Sequence, residues 1–154
     1  MNSSCDRPVD WDAMARWLVE SMASMPCAAV LAIGPAHVAD DEDTDVDCVQ
    51  IQALERGTFL IRLSTMMMST PLLGGLLVPH TALDAWFYDS RFTDCTHGYL
   101  MSRSRDRIAD IAVVWFRDRC GVPGPSRLGC SYDVPIALPR SAPGMRHPAT
   151  RGTP

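Results

Sequence analysis

The chain contains no lysine; all 14 basic side chains are arginine, set against 18 carboxylates for a net charge of −4. An all-arginine repertoire reads as the codon bias of a GC-rich genome, a clue to lineage rather than to mechanism. The acidic balance argues against a nucleic-acid binder, which neutralises phosphates with a basic excess. The cluster Arg103, Arg105 and Arg107 is short, has Asp106 and Asp110 beside it, and reads as a solvated helix start. Long hydrophobic runs are also missing. The apolar stretch 25–39 is cut by Pro26 and Pro35, and a membrane-spanning helix needs about 20 residues. The first residues carry neither the basic nor the apolar region of a signal peptide. A cytoplasmic protein with no membrane partner is the expectation.

Catalytic signatures are equally scarce. There is no G-x-S-x-G elbow, no H-E-x-x-H helix and no phosphate-binding glycine loop. Gly74-Gly75 lies between leucines with no G-K-[ST] after it. Asp41, Asp43, Asp45 and Asp47 alternate like the first ligands of a calcium loop. Counting from Asp41, however, Val46 and Gln52 stand where an EF-hand needs Gly and a bidentate Glu. The stretch reads as a solvated hairpin loop. The six cysteines include no C-x-x-C pair, so free thiols are expected rather than a zinc site or disulfide framework. The closest exceptions are Cys95-x-His97 and a possible meeting of Cys120 with Cys130 across a helix exit. No cofactor, metal ligand or catalytic residue is assigned.

What is present is a pattern of helices and strands. Trp11, Met14, Leu18, Met22 and Met25 recur at spacings of three and four, predicting a helix from Asp10, its N-cap, to Pro26. Three strands are predicted at 27–33, 48–54 and 58–64, with a turn at Glu55-Arg56-Gly57. Short connections make them an antiparallel meander. Residues 65–99 read as an irregular middle, with a short helix opening near Pro79 and one or two short strands between Trp86 and Tyr99. A second, long helix is expected over 103–120. Its stripe is Ile108, Ile111, Ala112 and Trp115, and Gly121 and Pro123 stop it before a returning apolar segment. The organisation expected is a loose N-terminus (1–8), one α+β domain (9–132) and a disordered Pro/Arg-rich tail (133–154).

The residues left over are soft and apolar: Met66, Met67 and Met68, then Leu72, Leu73, Leu76 and Leu77. They serve either as core filling or as a partner or dimer surface, because flexible thioethers repack against varied partners.

Several features coincide with one known family. They are Trp11 and Trp17, Val49-Gln50, the strand Phe59 to Ser64, Leu83-Asp84-Ala85-Trp86, Ala109 to Val113, and the exit Gly121-Val122-Pro123-x-Pro125-x-x-Leu128. Together with the order of elements, they resemble the actinobacterial TY-Chap group of YbjN-like proteins, which share the type III secretion chaperone-like fold. The resemblance implies a long C-terminal helix packed on the sheet. It also implies a cytoplasmic, homodimeric, non-catalytic chaperone or adaptor that holds a partner polypeptide along apolar strips. The alternative is a small enzyme or a thiol- or metal-dependent redox protein using Cys95/His97 or Cys120/Cys130.

Overall fold

The structure, a computed structural model, describes residues 10–36, 46–65, 83–88 and 97–134. The first helix, α1, spans Trp11–Ala23. Asp10 caps it as expected, its Oδ1 accepting the Ala13 N–H at 2.7 Å, which satisfies one of the unpaired donors at a helix start. Met14, Leu18 and Met22 form its buried line.

A tight turn follows, in which the Ala29 N–H donates to the Pro26 carbonyl at 3.0 Å and Ala28 takes a left-handed φ of 75°. That turn consumes Cys27 and Ala28, so strand β1 runs Val30–Pro35 rather than 27–33. Strand β2 is Cys48–Ala53 and β3 is Phe59–Ser64. The turn between them places Arg56 and Gly57 at φ values of 61° and 67°, the left-handed pair that suits a tight antiparallel connection. The expected meander is therefore present, as the centre of something larger. Short strands β4 (Trp86–Phe87) and β5 (Tyr99–Ser102) and a last strand β6 (Leu128–Asp133) complete a six-stranded antiparallel sheet. Its order is β4-β5-β3-β2-β1-β6. The returning apolar segment of the sequence is β6, and its partner is β1, with Leu31 opposite Tyr132 and Ile33 opposite Cys130.

The expected long C-terminal helix needs correction. The second helix, α2, covers only Arg105–Val114, capped by the Ser104 hydroxyl, which accepts the Arg107 N–H at 3.1 Å. A wider π turn then carries Trp115–Arg119, with the Cys120 N–H reaching the Trp115 carbonyl at 2.9 Å. Gly121 ends it at φ 70°, in the left-handed conformation that closes helices. Because β6 follows, this helix is not the last element. Its buried residues, with those of the π turn, are Ile108, Ala109, Ala112, Val113, Trp115 and Phe116, which include Ile108, Ala112 and Trp115 of the expected stripe, while Ile111 is only partly buried.

Strand alternation sorts the sheet into two faces. Leu31, Ile33, Val49, Ile51, Ala53, Phe59, Ile61, Leu63 and Leu100 share the main core with α1 and α2. On the other face Leu60, Tyr99 and Met101 form a smaller cluster with Leu54, Leu83 and Phe87. Arg62 lies on that face too, 1% exposed. It is directly opposite Gln50 in the β2–β3 register and donates to that residue's Oε1. Every residue of β3 is buried.

Two predictions follow from these details. Replacing Gln50 by Leu deprives the buried guanidinium of an acceptor and is expected to cost about 2 kcal/mol in urea unfolding. An unchanged midpoint would show that this bond carries nothing. At two of the left-handed positions, Ala28 and Gly121, the signs should oppose. Ala28→Gly is expected to raise, and Gly121→Ala to lower, the unfolding free energy by about 1 kcal/mol each, since a Cβ at Gly121 would meet nothing within 4 Å.

Candidate functional site

A concavity among the described residues opens between α2 and the β4 edge of the sheet. It has a volume of about 580 Å³, within the range of small-ligand and side-chain pockets. Helical spacing builds one wall. Arg107, Asp110, Ile111 and Val114 stand three, four and seven residues apart on one side of α2, with Ile111 at its border packing on the main core. Strand alternation builds the other, because Trp86 and Tyr88 point to the same side of the chain and their rings stack with centroids 6.4 Å apart. Phe87, between them, turns to the opposite side and stacks on Tyr99 at 5.4 Å.

Leu63, His97 and Trp115 complete the lining. His97 and Leu63 are held by the backbone, since the His97 N–H donates to the Leu63 carbonyl and the Leu63 N–H to the Gly98 carbonyl, both at 3.1 Å. Gly98 is required where it stands. Its φ is 102°, and a Cβ there would lie 2.7 Å from the Tyr88 ring. Glycine at this position lets the phenol lie down over the backbone beside the pocket. The imidazole of His97 packs on the Trp115 indole at 5.0 Å, and the Arg119 guanidinium sits 6.0 Å from the centroid of the same ring. The π turn supplies this arrangement by carrying both Trp115 and Arg119.

The polar groups are unevenly matched. Arg107 pairs with Asp84 at 3.3 Å. Arg117 engages Asp118 through two bonds of 2.8 and 3.0 Å, and this hydrogen bonding holds the Asp118 carboxyl below its ordinary range. Trp115 is 5% exposed, and its Nε1–H is buried with no hydrogen-bond partner among the described residues. An unmet buried donor costs about 1–3 kcal/mol. Tyr88 and Val114, by contrast, are 72% and 44% exposed at the mouth.

The residues singled out from sequence fall elsewhere. Met66, Met67, Met68, Leu72, Leu73, Leu76 and Leu77 lie outside the described residues, as do Cys95 and the acidic stretch 41–45. His97 enters the pocket as an aromatic wall. Cys120 and Cys130 are both free thiols. Asp47 and Cys48 both act electrostatically on Cys120, with Asp47 also hydrogen-bonding it, and burial is the largest influence. Together they push its thiol up to about 12, the opposite direction from a nucleophilic thiolate. No group of three or more metal-ligating side chains occurs among the described residues. No helix among them is long and apolar enough to cross a membrane. The pocket itself was missed from sequence. Its signals were the pair Trp86 and Tyr88 two apart on a strand, and the outward line Arg107, Ile111 and Val114 on α2.

Because Cys120 stays protonated at neutral pH while Cys27 is exposed, peptide mapping after iodoacetamide treatment at pH 8 should show Cys120 lagging Cys27 by more than about tenfold. Equal rates would mean that Cys120 is neither buried nor held by Asp47.

Set beside known proteins, the chain matches no family model, no curated protein and no solved structure.

Proposed function

We propose that this protein is a non-catalytic polypeptide-binding module, chaperone- or adaptor-like, that holds an apolar segment of a partner in the pocket between α2 and β4. One observation carries the reading: a cavity of about 580 Å³ with an aromatic and aliphatic lining opens at Tyr88 and Val114, large apolar side chains left 72% and 44% exposed. Exposed apolar surface of this kind, rimmed by charge, suits protein contacts. Trp and Tyr are also the side chains that most often anchor them. Kinship with the TY-Chap group, the secretion-chaperone-like arrangement, a cytoplasmic setting and a homodimer belong to the same proposal.

The test uses a permanently unfolded polypeptide, reduced and carboxymethylated lactalbumin, and measures its affinity by light scattering or interferometry. Tyr88→Ala and Val114→Glu should each weaken binding about tenfold and leave the circular dichroism spectrum unchanged. Binding that survives both substitutions intact would remove the pocket from the mechanism, and with it this reading.

A further inference from the structure

Strand β6 ends the sheet order, so among the described residues only one of its two backbone edges is paired, against β1. Alternation decides which groups remain. The Ala36 N–H donates to the Arg127 carbonyl at 2.9 Å, which turns that carbonyl, and the amides and carbonyls of Gly129, Ser131 and Asp133, toward β1. The register agrees, because Pro35, which has no N–H, stands opposite Leu128, where no bond crosses. Leu128, Cys130 and Tyr132 therefore direct their amides and carbonyls outward. Cys130 to Asp133 are exposed. Sheet edges are ordinarily blunted by lysine, proline, a bulge or an inward charge. The segment from Leu128 to Tyr132 contains no proline and no charge. Opposite charges stand at its two ends, Arg127 and Asp133, both exposed.

We infer that β6 pairs edge to edge with β6 of a second copy, antiparallel about a two-fold axis through Cys130, which joins two six-stranded sheets into one. The inference deepens the homodimer part of the reading above and rests on it, while the pocket plays no part. The backbone and the side chains choose the same partner and register. About this axis the outward groups at 128, 130 and 132 meet their own copies in reverse order, so every outward amide finds an outward carbonyl. Leu128 then faces the partner's Tyr132, and an aliphatic side chain covers a ring that is 45% exposed in the single chain. Arg127 faces the partner's Asp133, and symmetry repeats that ion pair at the other end. Moving the axis to Gly129 or Ser131 would set Asp133 against the partner's Pro125 or the partner's Gly129 and lose both ion pairs. An unrelated strand could meet the amides, but the chain's own copy supplies the matching charge at both ends.

The experiment follows the mass of the full chain by sedimentation equilibrium from about 5 to about 300 μM, where a reversible dimer is expected. Arg127→Asp and Asp133→Arg each place two like-charge pairs at the interface and should each weaken the dimer about tenfold at low ionic strength. An equimolar mixture of these two variants should associate as tightly as the unaltered chain, because every facing pair then joins opposite charges. Cys130→Pro, checked for cooperative melting, removes the outward amide at the axis while leaving the β1 ladder whole, and should weaken the dimer as well. A monomer at every concentration would overturn the inference. So would a dimer indifferent to the single substitutions, or a mixture no tighter than its components. Retained binding of the unfolded polypeptide by a monomeric chain would show that the pocket reading stands without this interface.

Discussion

The fold depends on one constraint, that β3 is buried along its whole length on both faces. Toward the helices it contributes Phe59, Ile61 and Leu63 to the main core, and away from them Leu60, Arg62 and Ser64. Hydrophobic burial alone cannot place an arginine there. A buried guanidinium is tolerated only where acceptors meet it, and the register that sets Gln50 opposite Arg62 provides one. A one-residue slip between β2 and β3 would break that pairing and turn a polar side chain into the aliphatic core that faces α1 and α2. The polar pair thus fixes the alignment of the two central strands, and β1 and β5 take their positions from them.

The pocket is a by-product of how that sheet is finished. On the β4 side the sheet narrows to two residues, and the cleft lies between that short edge and α2. The π turn then decides what faces the cleft. An extra residue in the turn changes the angular progression of the side chains that follow, and it is at this point that Trp115 goes under the helix while Arg119 comes back over its ring. Local backbone irregularity and pocket chemistry arise from the same five residues.

Much of the fold was legible because its signals are periodic and local. The Asp10 cap, the Met14–Leu18–Met22 line, the turn at Arg56-Gly57 and the stop at Gly121 all stand where chain pattern alone predicts them. What was hidden is non-local or irregular. Nothing in the stretch Leu128–Asp133 announces that its partner is β1. A left-handed alanine at 28 is indistinguishable in sequence from one at the start of a strand. The π turn has no compositional mark, and the stripe read for a uniform helix left out Ala109, Val113 and Phe116, which are buried as well. The binding surface sought in the run from Met66 to Leu77 falls outside the described residues. The pocket, meanwhile, draws on β3, β4, His97, α2 and the π turn together, an assembly that no window along the chain can reveal.

The pairing of β1 with β6 has a consequence for how the molecule comes into being. Val30 and Asp133 are neighbours in space but are separated by about a hundred residues of chain, a closure whose entropic cost must be met before the contact is rewarded. During synthesis the meander can assemble early, yet β1 must wait with one row of amides and carbonyls unclaimed until β6 has left the ribosome. The nascent protein therefore passes through a stage in which its sheet has a naked long edge, open to any extended segment nearby. A chain cut short before Leu128 would never leave that stage.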